Sequence, residues 1–201
     1  KAYDVVVIGG GGAGLAAANA AAGKGASVAV FEKMGVLGGN TVRATGGMNA
    51  AGTEYQAAKG IADSADLFYK DAMKGGYDKN DPELVRVLAE NSAGSVAWIS
   101  SMGGDLSDVG RLAGASVNRA HRPTGGAKVG PELVKTLAVA AKGNAGISIY
   151  YEAKVVSVLQ DRKGAVTGVK VAMGGKEYTV KAKAVVLASG GFGANNDMAA
   201  S

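Results

Sequence analysis

The chain has 201 residues, of which 47% are hydrophobic and 33 are glycine, with a net charge of +5 at pH 7 and no cysteine. That length suits one domain covering residues 1–201, and the lack of cysteine excludes disulfides, thiolate metal sites and a cysteine nucleophile. The Lys and Arg residues are scattered without a basic block or interleaved aromatics, which argues against nucleic acid as a partner, and no apolar run approaches the roughly 20 residues of a membrane span. Position 1 is Lys where an initiator Met is expected, and no charged and apolar leader precedes the first strand, so an upstream segment is expected to have been removed.

Val5 to Ile8 is a continuous β-branched run, the pattern of a strand buried on both faces of a parallel sheet. Gly12 to Gly23 supplies Ala and Leu at helical density, and Ser27 to Phe31 is a second buried strand, which together make a βαβ unit. Gly35 to Gly52 reads as a loop-like tract. Helices are expected over Ser64 to Lys74, with Leu67, Phe68 and Ala72 on one face, and over Pro82 to Met102. Asp81 is the natural N-cap of the latter and Pro82 its first residue, with Leu84, Val85, Leu88, Val96 and Ile99 as the apolar stripe.

Val109 to Gly130 is a second irregular tract, too long for a bare connector in a compact domain and therefore a functional candidate. Pro131 to Ala141 reads as helix. From Ile147 the period changes to two: Ile147 to Tyr150, Ala153 to Leu159, Val166 to Ala172 and Glu177 to Val180 are short strands separated by hairpin chemistry. A last apolar strand, Ala184 to Ala188, runs into "SGGFG".

Gly9, Gly11 and Gly14 stand in G-x-G-x-x-G register between the first strand and the first helix, and Glu32 ends the second strand about twenty residues on. In that context the first glycine permits the turn, the second admits a pyrophosphate to the backbone, and the third lets helix and strand pack closely. Phosphate then meets the free N–H groups at the helix N-terminus, and Glu32 can accept ribose hydroxyls. A plain strand-to-helix turn with an incidental glutamate is the competing reading. Both NAD and FAD satisfy the fingerprint.

Five motifs in order, "VVVIGGGGAGLAAA", "FEK", "LGGNTVRATGGMNAA", "DVGRLAGASVNRAHRPTGGAKVG" and "VVLASGGFGANN", resemble the FAD-binding domain of the fumarate reductase and succinate dehydrogenase flavoprotein family. The likeness is strongest to its soluble bacterial branch, the flavocytochrome fumarate reductases and urocanate reductase. It covers essentially the whole chain and implies an α/β fold: a Rossmann-like FAD-binding domain with a central parallel sheet and an inserted antiparallel β-meander. It also implies that Val7 through Gly14, including Gly9, Gly11, Gly12, Ala13 and Gly14, line the pyrophosphate, and that Glu32 and Lys33 meet the adenosine ribose. Gly39, Asn40 and Thr41 would follow the phosphates and ribityl chain, Thr45, Gly46 and Gly47 the isoalloxazine. The adenine would rest on Ala153 to Val155, and Ala188, Ser189 and Gly190 would form the second glycine motif. Simple turn formation is the alternative for the Gly46–Gly47 and Gly190–Gly191 doublets.

The resemblance further implies an ene-reductase that passes hydride from reduced flavin to an activated C=C bond, with a proton delivered to the opposite face. In that family the arginine acid and the residues that hold a small unsaturated carboxylate lie in a capping lobe and a C-terminal segment beyond a "GGF" motif like that at Gly191–Phe192. No catalytic residue is therefore assigned in this chain, which is expected to be inactive alone. No metal site is expected. Without a second dinucleotide fingerprint, electrons would come from a haem or FMN domain or protein, and a periplasmic location is expected, with the cytoplasm as the alternative. His121, flanked by Arg119 and Arg122, is either a group in the chemistry with an imidazolium disfavoured by the arginines or a loop-ordering hydrogen-bond partner. A non-catalytic scaffold and a nicotinamide-dependent dehydrogenase are the rival readings.

Overall fold

In a computed structural model of the chain, residues 1–193 and 195–200 are described; Ala194 of the last motif and Ser201 lie outside them. The chain runs β1 (Ala2–Ile8), α1 (Gly12–Ala22), β2 (Val28–Phe31), a 3-10 turn (Thr41–Arg43), β3 (Met48–Asn49), α2 (Glu54–Ala58), α3 (Ala65–Gly75) and α4 (Pro82–Ser101). It continues through β4 (Asp108–Gly110), β5 (Ala120–Arg122), α5 (Val129–Gly143), β6 (Ile147–Tyr150), β7 (Lys154–Gln160), β8 (Val166–Met173), β9 (Lys176–Leu187) and α6 (Asn196–Ala199). It forms two compact units, one of residues 1–42 with 137–200 and one of residues 43–136.

The first unit is built on a six-stranded sheet in the order β6-β2-β1-β9-β8-β7. β1 lies parallel to β2 and β9, β2 parallel to β6, and the β7-β8-β9 meander is antiparallel. The unbroken apolar runs are explained by burial on both faces. Val7, Val28 and Val30 pack with Ala18 of α1 on one side, whereas Val6, Ile8, Ala29 and Phe31 join Ala153, Val169, Val171, Val180 and Ala182 on the other.

The two strands expected at Glu177 to Val180 and Ala184 to Ala188 are one strand of 12 residues. Its first part pairs antiparallel with β8, and from Lys181 it runs parallel to β1, with Ile8 opposite Leu187. The intervening Lys-Ala-Lys looks like an interruption, but it only alternates, with Ala182 inward and both lysines exposed.

The second unit packs α3 on α4 around Phe68, Ala51 and Ala89 and carries a three-stranded sheet, β3-β5-β4. These strands of two or three residues fall inside the tracts expected to be loops, and they are too short for a period of two to register. The buried face of α4 is Ala89, Ser92, Val96 and Ile99, while Leu84 and Leu88 of the expected stripe are 68% and 57% exposed. α2 was not expected, although Thr53 and Gln56 carry its signature: the Thr53 hydroxyl accepts from the Gln56 N–H and the Gln56 side chain accepts from the Thr53 N–H, a capping box.

Candidate cofactor site

In the first unit β1, β2 and β9 end side by side, so the segments that follow them converge. Gly9 N–H donates to the Phe31 carbonyl and Ala188 N–H to the Ile8 carbonyl, each at 2.9 Å. Crevices at the carboxyl ends of parallel strands, where the strand order reverses, are where such sheets bind ligands.

Glycine is required here by space as much as by conformation. Gly9 has φ +102°, and a Cβ on it would lie 2.5 Å from the Ala188 carbonyl oxygen. A Cβ on Gly14 would lie 1.9 Å from the Gly9 carbonyl oxygen, so α1 seats directly on the turn. Gly11 caps α1 without any side-chain bond. The first turn has no acceptors of its own for its N–H groups. Thr41 Oγ1 accepts from the Gly12 N–H at 3.0 Å, and the exposed Ala13 begins a surface of backbone donors suited to an anion.

Glu32, expected to meet the adenosine ribose, is turned largely into the protein. It is 6% exposed, and its two oxygens accept from the Gly10 N–H at 2.7 Å and the Met34 N–H at 2.8 Å. The carboxylate therefore staples the glycine turn to the end of β2. Each oxygen keeps a second lone pair, and Glu32 still lines a cavity of about 230 Å³ together with Gly9, Lys33, Ala153, Val155 and Ser189. Six residues singled out in the sequence, from four separate segments, thus share one cavity, floored by Ile8 and Phe31. A cavity of about 280 Å³ elsewhere on the unit, beside Tyr3, Phe31 and Tyr150, has neither a glycine turn nor a helix N-terminus.

Gly39, at φ +50°, and Asn40 are exposed beside Thr41. The Gly38 N–H donates to the Gly10 carbonyl at 2.8 Å, which binds this second glycine segment to the first. Ala188, Ser189 and Gly190, the last at φ +82°, follow β9 directly. Thr45, Gly46 and Gly47 belong to the second unit, where a Cβ on Gly47 would stand 3.0 Å from the Ala120 Cβ and 3.3 Å from the Arg122 Cγ.

His121 is fully buried in the second unit. Burial holds its imidazolium pKa below the usual 6.5, opposed by the carbonyls of Arg119 and Met48 and by the Asp63 carboxylate. The arginines are not the cause. The Arg119 guanidinium is itself held by Asp63 and Asp71, at 3.0 Å each, and lies over the Phe68 ring.

A glycine cradle, the N-terminus of α1 and a cavity lined by Glu32 at the ends of β1, β2 and β9 define a dinucleotide-binding α/β domain. The chain belongs to the FAD binding domain family, whose model matches residues 4–201, and its cofactor is FAD. It is 52% identical over 199 residues to a fumarate reductase (cytochrome) of Shewanella frigidimarina, covering 98% of this chain and 34% of that protein. It is 38% identical over 199 residues to a urocanate reductase of Eggerthella lenta, covering 97% and 32%. The open conformation of a flavocytochrome c3 fumarate reductase superposes with a TM-score of 0.96 at 43% identity, over 100% of this chain and 36% of that one. The chain spans about a third of the length of these relatives. It is a FAD-binding domain of the kind carried by the fumarate, urocanate and acrylate reductase flavoproteins.

Proposed function

We propose that this domain serves an ene-reductase acting on a small unsaturated carboxylate. The likeness to fumarate, urocanate and acrylate reductases carries the reaction class, and the cavity shared by Gly9, Glu32, Lys33, Ala153, Val155 and Ser189 carries the FAD site. The Gly9, Gly11, Gly12, Ala13 and Gly14 backbone holds the pyrophosphate at the α1 N-terminus, with Gly39, Asn40 and Thr41 continuing along the phosphates and ribityl chain. Glu32 accepts from the ribose hydroxyls with its free lone pairs, Lys33 stands beside it, and Ala153 and Val155 support the adenine. Ala188, Ser189 and Gly190 close the turn side, and Thr45, Gly46 and Gly47 are kept as candidates for the flavin ring on the family resemblance alone. When bound, FAD supplies a carrier of hydride and of single electrons.

No residue of this chain is assigned the proton that completes C=C reduction; that group and the substrate carboxylate clamps are placed in the remainder of a longer protein. The cytochrome in the name of the Shewanella frigidimarina relative favours a haem carrier as electron donor, with an FMN carrier as the alternative, and a periplasmic location accompanies that choice.

The FAD-loaded chain, reduced by a low-potential dye, tests the assignment. Reduction of the flavin with negligible turnover of fumarate, urocanate or acrylate is expected, whereas appreciable turnover would place the proton donor inside these residues. Tighter binding of NADH than of FAD would favour a nicotinamide-dependent enzyme instead.

A further inference from the structure

We propose that the cavity beside Tyr3, Phe31 and Tyr150 in the first unit binds a small planar aromatic carboxylate, with the Lys1 ammonium as the partner of its charge. The cavity holds about 280 Å³ between the face of β1, β2 and β6 and the meander strands β8 and β9, and Phe31 is the one lining residue it has in common with the cofactor cavity. That volume lies just under the range of about 300–1,000 Å³ usual for ligand pockets. It suits one or two rings and not a dinucleotide.

The lining divides by chemistry. Phe31, Val171 and Val180 are buried, and with the partly buried Met173 they make an apolar wall. Phe31 stacks on Tyr150 with centroids 5.0 Å apart and planes 15° from parallel, so two near-parallel rings border the cavity. A third ring adds to such a pair by offset or edge contact.

The polar lining groups form one cluster. Tyr3 Oη lies 2.6 Å from Tyr150 Oη, while Lys1 Nζ donates to Tyr150 Oη at 3.2 Å and stands 5.7 Å from the centroid of the same ring. The Lys1 backbone is held as well, because its carbonyl accepts from the Lys181 N–H at 3.2 Å. Tyr150 uses one of the three ammonium N–H groups. Among the described residues no carboxylate stands within ion-pair distance of Lys1, in contrast to Lys183, which pairs with Asp4 at 2.7 Å. An apolar, ring-bordered cavity with an unneutralised cation in its lining is matched by an aromatic body bearing an anionic head. One cation without a nest of backbone N–H groups fits a carboxylate better than a phosphate.

The test is an NMR titration of the isotopically labelled chain with naphthoate, and with naphthamide as the neutral analogue, each with and without saturating FAD. Saturable shifts of the Val171, Met173 and Val180 methyl groups are expected with naphthoate, undiminished by FAD, and naphthamide is expected to bind about two- to tenfold more weakly. Lys1→Met removes the charge from an exposed position and should weaken naphthoate by the same factor. Tyr150→Phe keeps the ring stack but frees the ammonium, and should also weaken it. No saturable shift at millimolar naphthoate overturns the inference, as does equal binding of acid and amide or unchanged affinity in either folded variant. Shifts centred on Gly9 and Ser189 that FAD abolishes would place the ligand in the cofactor cavity and equally refute it. The arm without FAD reads this site independently of the cofactor assignment.

Discussion

Glu32 accepts from the Gly10 and Met34 N–H groups, and the proposed site turns its remaining lone pairs toward the adenosine ribose. Its charge-assisted bonds to a ligand are worth about 1.5–3 kcal/mol each, so Glu32→Ala should weaken FAD binding by about one to three decades. The same change orphans two backbone donors and should cost about 1–3 kcal/mol of stability, read as a lower melting temperature without FAD. Unchanged affinity would demote the glycine fingerprint to a turn. Gly14→Ala is different in kind, because the new Cβ meets backbone that cannot turn aside; a loss of about 1–3 kcal/mol or more is expected from overpacking. His121 gives a pH signature. Its folded pKa is depressed, so the unfolded chain binds more protons between that value and 6.5, and stability should fall as pH drops through this window. Denaturant unfolding across that range should show the slope, and His121→Asn should lose it. At this scale Gly9 and Gly14 were legible because only a missing side chain fits where they stand. The burial of Glu32 was not, since its donors are positioned by the way the turn folds back on β2.

Among the elements, α1 begins without a cap of its own and borrows one from Thr41. Thr41→Val keeps the shape and removes the acceptor, and should cost about 0.5–2 kcal/mol, the range for lost helix caps, measured as a change in denaturant midpoint. The βαβ unit and the meander were readable because continuous β-branched runs and period-two alternation each name a sheet environment. α4 was placed by Asp81 and Pro82, and Asp81 does accept from the Glu83 and Leu84 N–H groups. Its stripe was misjudged because Leu84 and Leu88 satisfy helical spacing equally well on the exposed side. β3, β4 and β5 escaped because their pairing is decided by partners some ten to seventy residues away, such as Met48 opposite His121, and not by any local period. The capping box at Thr53 and Gln56 was present in the sequence and would have located α2.

For the whole molecule, the βαβ core and a dinucleotide site were accessible from motif order and spacing and FAD in particular from the resemblance to a known flavoprotein family, whereas the division into two compact units was not, since no change of composition marks residues 42 or 137. The central claim is that FAD sits at the carboxyl ends of β1, β2 and β9 with its adenosine half over Glu32. Equilibrium titration of the chain with FAD, followed by flavin fluorescence and repeated on Glu32→Ala, tests it most directly. Saturable one-to-one quenching at micromolar FAD, displaced to higher concentration in the variant, is the expected result; no saturable binding, or identical curves for two folded proteins, would contradict it.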